Sequence, residues 1–287
     1  MSTYHHSTFP SVPIHLPSDL PESDLSAFPA FQNWTTRLSH SLSLQSSPTH
    51  PFHSAPYTLR SIKIQSTDRF GSGKLGFVKL TATITNANDE SLPGSVLLRG
   101  GSVAMLVLLQ PDDIPASSED EVYVVLTLQP RVPAGSLGFA ELPAGMLDDS
   151  GSFGGKAAAE LEEETGLKIE EGEMVDLTKV ALEGREGEEG LEKAVYPSAG
   201  GCDEFVPIFV ARKRVGRKEL EGLRGKLSGL RDEGEKITLK VVRLEGLWRE
   251  GARDAKALSA LALYEGARRE GKLKGFWEKG KLKGPNM

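Results

Sequence analysis

The chain has 287 residues, 34 Lys and Arg against 40 Asp and Glu, and a formal net charge of −6. That length admits one large core or two small ones, and the acidic balance argues against a nucleic-acid partner, which usually needs a basic stripe. No apolar run approaches the ~20 residues of a membrane span, and a single cysteine, Cys202, excludes an internal disulfide and suits a reducing compartment.

Residues 1–53 read as a Ser-, Pro- and His-rich leader with one short helix around Leu25–Leu42, where Phe28, Phe31, Trp34 and Leu38 have the spacing of a docking face. The opening MSTYHHSTFP lacks the basic-then-apolar order of a secretory signal, so a cytoplasmic protein is the default expectation. Its Ser-rich, acid-free character keeps organellar import as the alternative. Residues 54–97 alternate apolar and polar side chains, as in LRSIKIQ and GFVKLTATI, and read as a small β-sheet. Val96–Leu98 and Val103–Leu109 continue as strands around the turn Arg99-Gly100-Gly101, and Val122–Leu128 is a buried strand before the loop Gln129–Leu137. A helix is expected over Lys156–Thr165 and strands over Met174–Leu182, Phe205–Ala211 and Ile237–Leu244. Glu183–Lys193 is charged and Gly-rich, a solvated mobile loop. Arg212–Leu230 reads as a surface helix pair or a long helical excursion, and Ala255–Arg269 as an amphipathic helix with Leu258, Leu261, Ala262 and Tyr264 or Glu265 marking its turns. Residues 98–270 thus form the main domain and 271–287 a basic tail. Interleaved helices and mixed strands make the fold class α/β, a sandwich.

All six histidines (His5, His6, His15, His40, His50 and His53) precede residue 54. The rest of the chain therefore has no imidazole for a Ser-His-Asp triad, a Cys-His pair or a zinc site. Acid–base chemistry there falls to carboxylates, Lys, Tyr or water held by a metal. The segment Gly145–Leu167, GMLDDSGSFGGKAAAELEEETGL, supplies the carboxylates. Glu160, Glu163 and Glu164 fall at i, i+3 and i+4, on one helix face closed by Gly166. Three like charges on one turn repel, and hard divalent cations, which take oxygen ligands, would relieve that repulsion. A solvated acidic face is the plainer alternative.

The segment resembles the Nudix box: Gly, five residues, Glu, seven residues, Arg-Glu, an aliphatic residue, any residue, Glu-Glu, any residue, Gly, aliphatic. Glu160, Leu161, Glu163, Glu164, Gly166 and Leu167 fit that register, while Gly151 stands where the box has its first Glu and Ala159 where it has Arg. The lead-in Glu141-Leu142-Pro143-Ala144-Gly145-Met146-Leu147 and the later Pro197-Ser198-Ala199-Gly200-Gly201-Cys202-Asp203-Glu204 are similar to the branch that hydrolyses ADP-ribose and ADP-sugars, with plant and fungal ADP-sugar diphosphatases the nearest in pattern. The likeness covers roughly residues 55–270.

The resemblance implies a Nudix α/β/α sandwich with a mixed sheet, preceded by a small N-terminal antiparallel sheet that serves dimerisation. It implies Mg²⁺, with Mn²⁺ a substitute, held by Glu160, Glu163, Glu164 and the Ala144 carbonyl, with Glu235 as an additional ligand. Glu233, in Arg231-Asp232-Glu233-Gly234-Glu235 before a late strand, resembles the general base, and Glu204 is its rival. Arg131, and after it Arg99, would bind the pyrophosphate, and Glu141 would accept from the adenine amino group. The substrate implied is a small-molecule nucleoside diphosphosugar, cleaved to AMP and a sugar phosphate by a homodimer. The lapses at Gly151 and Ala159 remove supporting partners rather than the inner carboxylates, a loss that often costs ~10–100-fold, and Lys156, at i−4 from Glu160, offers a nearby positive charge. A slowed hydrolase and a Nudix-fold sensor that binds ADP-ribose-like nucleotides without cleaving them both remain open.

Overall fold

The computed structural model describes residues 2–71, 73–115, 118–147, 152–185, 187–230 and 235–273, and the chain divides into two units. The first comprises Met1–Gly101, Arg185–Glu192 and Ser198–Phe205, and the second Ser102–Gly184, Lys193–Pro197 and Val206–Met287.

In the first unit, strands β1 (Ser2–Tyr4) and β2 (Ile14–Leu16) and helices α1 (Glu22–Ser26) and α2 (Pro29–Leu44) precede β3 (Thr58–Arg69), β4 (Leu75–Thr85), β5 (Ser91–Leu92) and β6 (Ser95–Leu98). The strands form one sheet in the order β1-β2-β3-β4-β5, with β6 also on β4. All its pairings are antiparallel except β2 with β3, where Ile14 faces Ile62 in parallel. The segment expected as a polar leader is continuous with this sheet. Val12, Ile14, Leu16, Leu20, Leu25, Phe28 and Phe31 are buried in one cluster with Ile62, Ile64, Val78 and Leu80. Composition hid them, because the apolar residues are spaced among Ser, Pro and His and reach the core through a two-residue period in β2 and a three-to-four period in α2. The charged insertion also differs from a free loop. Glu192 pairs with Arg37 at 2.8 Å, and the Glu188 carbonyl lies 2.6 Å from the His40 ring nitrogen on α2.

The second unit is a sandwich. Its strands are β7 (Ser102–Pro111), β8 (Tyr123–Arg131), β9 (Ser136–Glu141), β10 (Ala144–Met146), β11 (Met174–Asp176), β12 (Ile208–Val215), β13 (Leu227–Ser228) and β14 (Ile237–Arg243), and its helices α3 (Phe153–Thr165), α4 (Leu177–Ala181), α5 (Arg217–Leu223), α6 (Leu247–Glu250) and α7 (Ala255–Arg269). The sheet runs β11-β12-β7-β8-β14-β13, with β10 on β7 and β9 on β8, and it is mixed because β12 lies parallel to β7. Period-two alternation sorts its side chains. Ala104, Leu106 and Leu108 join Leu177, Leu247, Ala257, Ala260 and Tyr264 on one face, while Val103, Met105, Val107 and Leu109 join Ala157, Leu161, Leu220 and Leu223 on the other. Helices therefore cover both faces, the α/β/α arrangement expected.

Three local expectations are corrected. Met174–Leu182 is a short strand followed by α4, because the Asp176 side chain accepts from the Lys179 N–H at 2.8 Å and caps a helix there. Arg212–Leu230 is not a helix pair: Arg212–Val215 complete β12, α5 is one short helix, and Leu227 and Ser228 pair with β14. On α7 the buried stripe is Ala257, Ala260, Tyr264 and Ala267, while Leu258 is exposed. The alanines let the helix lie close to the sheet, which a reading weighted toward large side chains overlooks.

Candidate active site

Helix α3 begins before Lys156 because Ser152 caps it, its hydroxyl accepting the Gly155 N–H at 3.0 Å. It ends where Gly166 takes a left-handed φ of 76°, and the Lys226 ammonium donates to the Thr165 carbonyl at 3.3 Å, a cation at the negative end of the helix. Between these ends Glu160 and Glu164 project toward the edge where β10 pairs with β7. A Cβ on Gly145 would stand 1.8 Å from the Glu160 carboxylate carbon, so glycine leaves the space in which that carboxylate lies and a larger residue would push it aside. Glu164 is 2% exposed. It accepts the Ala144 N–H at 3.0 Å and the Gln129 amide at 3.4 Å.

The electrostatics of this corner are unbalanced. Burial raises the Glu164 carboxyl to about 8, the negative Glu235 and Glu160 push the same way, and the Ala144 N–H and Gln129 only oppose them. Glu160 is also raised, by burial first and by Glu163 and Glu235, against the Lys156 ammonium 3.0 Å away. Glu235 lies two residues before β14, and its carboxylate accepts the Leu230 N–H at 2.9 Å and packs beside Gly229. Glu163 and Ala159 are exposed on α3. Among the described residues no three His, Cys, Asp or Glu side chains are already gathered closely enough to hold a metal ion. The donor chemistry nevertheless fits a hard divalent cation: several carboxylates repel one another in a desolvated corner, and oxygen ligands of this kind suit Mg²⁺. Glu233, Gly151, Asp148 and Asp149 lie outside the described residues.

Arg131 and Glu141 come together a short way along the same sheet. The Arg131 Nε donates to Glu141 at 2.6 Å, and the Lys256 ammonium reaches the other Glu141 oxygen at 2.8 Å. Lys256 also pairs with Asp254 at 3.0 Å, and Asp254 accepts the Leu142 N–H at 2.9 Å. Burial lowers Lys256, but Asp254 and Glu141 more than reverse it, so the ammonium is held above its usual range. Glu141 is 2% exposed and both its oxygens are already taken by cations. It thus anchors Arg131.

Arg99 and Glu204 belong to the first unit and pair with each other at 2.5 Å, while Asp203 accepts the Arg99 and Gly100 N–H groups at 2.7 and 3.2 Å. The Gly-Gly-Cys-Asp-Glu turn therefore braces Arg99-Gly100, and the Arg99 and Glu204 charges offset each other. Sequence reasoning missed Lys256, Asp254 and Gln129. A signal existed for two of them. Asp254 stands at the cap position of α7, and Gln129 shares with Thr127 one face of the otherwise apolar β8, a polar pair that is buried and needs partners.

No family model matches the chain. Over 216 residues it is 42% identical to Nudix hydrolase 14, chloroplastic, of Arabidopsis thaliana, a match that covers 75% of this chain and 65% of that protein. The chain thus spans just under two thirds of the length of this curated relative. A solved structure described as an ADP compounds hydrolase is similar over 75% of this chain and 98% of its own, with 16% identity and a TM-score of 0.45.

Proposed function

The chain is a relative of the Nudix hydrolases, and from that premise we propose that it hydrolyses the pyrophosphate bond of ADP-sugars, ADP-ribose or ADP-glucose, to AMP and a sugar phosphate. The observation that carries this reading is the fit of the box to the fold. Glu160 lies over Gly145, and Glu164 is received by the Ala144 N–H, so two of the three box carboxylates meet the start of β10.

Glu160, Glu163, Glu164, Glu235 and the Ala144 carbonyl would hold a divalent cation, Mg²⁺ in this proposal with Mn²⁺ a substitute. When bound, it supplies positive charge that offsets the two negative charges of the pyrophosphate and makes water more acidic. Arg131 binds the diphosphate through its planar guanidinium. Glu233 takes the proton as water attacks one phosphorus, and the bond to the bridging oxygen breaks to release AMP. Gly145 leaves the space that the Glu160 carboxylate occupies. The homodimer implied by the resemblance is part of the same proposal. So is a reducing compartment, either the cytoplasm or, as the relative's chloroplastic name suggests, an organelle. Among the described residues no helix is long and apolar enough to cross a membrane.

A second reading, a nucleotide sensor with little turnover, is favoured by Ala159 and Gly151 in place of the box Arg and Glu. AMP release from ADP-ribose and ADP-glucose with Mg²⁺, measured beside Glu164→Gln, separates the two. Metal-dependent release that collapses in the variant supports the hydrolase. Nucleotide binding with no AMP above the variant's background supports the sensor and removes the hydrolase.

A further inference from the structure

The Arg131 side chain is 41% exposed, and the Nε bond to Glu141 is its guanidinium's single hydrogen bond among the described residues. Its two terminal nitrogens therefore remain available while the plane of the group is set by the Nε bond to Glu141. Glu141 is itself held by Lys256 on the first turn of α7. Asp254 completes the chain of contacts. It pairs with Lys256, accepts the Lys256 N–H at 3.0 Å as the helix cap, and accepts the Leu142 N–H, tying α7 to the residue next to Glu141. Formal charges balance within the group, two carboxylates against an ammonium and a guanidinium, so the outer face of Arg131 alone is left to meet an added anion. A long arginine side chain ordinarily loses rotamer freedom when it binds a diphosphate. Here that ordering is already done by the Lys256 ammonium, acting through Glu141.

We propose that Lys256, backed by Asp254, is a positioning residue that acts through Glu141 to aim Arg131 at the diphosphate of the nucleotide. This rests on the reading of Arg131 as a diphosphate-binding group, and it does not require turnover. The test is calorimetric titration of the full chain with ADP in the presence of EDTA, for wild type, Lys256→Met, Lys256→Arg and Glu141→Gln, each also made with Arg131→Ala. The expected result is a loss of affinity of 5-fold or more, on the order of one rotamer-rich side chain left unordered, for Lys256→Met and for Glu141→Gln. Lys256→Arg recovers most of it. In the Arg131→Ala background neither variant adds more than about 2-fold, because the group they aim is gone. Should Lys256→Met not fold, Glu141→Gln carries the comparison alone. Equal losses with and without Arg131, no loss in either background, or an Arg131→Ala protein that binds ADP like wild type would each overturn the proposal. Since ADP binding is read without hydrolysis, an absence of AMP release in the activity assay would remove the hydrolase and leave this result standing.

Discussion

Two glutamates of the second unit are buried to the same degree, each 2% exposed, and are treated in opposite ways. Glu141 has a guanidinium on one oxygen and an ammonium on the other. Glu164 has a backbone N–H and a side-chain amide, with further carboxylates nearby, and its carboxyl rises to about 8. Burying a carboxylate without a cation is costly. A fold that gives Glu141 two cations and Glu164 none among the described residues fits, under the proposed function, a structural anchor on one side and a place for external positive charge on the other. The Glu164 corner is the box carried by α3, and the Glu141 network is the support beside it.

The widest separation between the two sites is expected in turnover. Glu164→Gln should lower metal-dependent AMP release by at least ~100-fold, the upper end of what loss of a ligand's supporting partner costs, and a fall of less than 3-fold would erase the distinction. In stability the signs reverse. Glu141→Gln leaves Lys256 and Arg131 short of a counter-charge and should cost about 3 kcal/mol in urea unfolding at pH 7, whereas Glu164→Gln should be neutral or stabilising by about 1–2 kcal/mol, because a neutral amide spares the metal-free chain the cost of protonating Glu164 on folding at that pH.

The pH dependence follows from the same contrast. Below 4.5 Glu164 is protonated in both folded and unfolded chains, and between 4.5 and about 8 only the folded chain keeps the proton. Stability of the metal-free protein should therefore fall as pH rises through that window, by at most about 1.4 kcal/mol per pH unit for one proton, and level off above it. Urea midpoints taken across the window should show this slope in wild type and lose most of it in Glu164→Gln. The smallest effect is expected from Ala159→Arg. Position 159 is exposed on α3 and has room for the longer side chain. A rise in kcat of about 10-fold would fit restoration of a supporting charge, and an unchanged rate would show that Lys156, 3.0 Å from Glu160, already fills that role.

Much of the Glu164 corner was legible in the sequence, and little of the Glu141 network was. Glu160 and Glu164 are one turn apart, Gly145 precedes them at fixed spacing, and Gly166 ends the helix, so local periodicity carries the information. The strand runs Val103–Leu109 and Val122–Leu128 and the helix Ala255–Arg269 were equally plain, since their patterns repeat within a few residues. The partners Glu141 and Lys256 lie 115 positions apart, and neither occupies a periodic position that betrays the other. The same physics hid the first unit's leading segment. Its Ile14 and Leu16 are core residues only because β2 pairs with β3.

Thermal unfolding at pH 8, with and without Mg²⁺ at about 100 times its Kd, for wild type and Glu164→Gln, tests the central claim most directly. If Glu164 is the place where external positive charge arrives, Mg²⁺ should raise the wild-type Tm by about 5–10 °C, as one bound ion stabilises by about 2.7 kcal/mol, and leave Glu164→Gln within 1–2 °C of its metal-free value. Equal shifts in both proteins, or none in wild type, would contradict it.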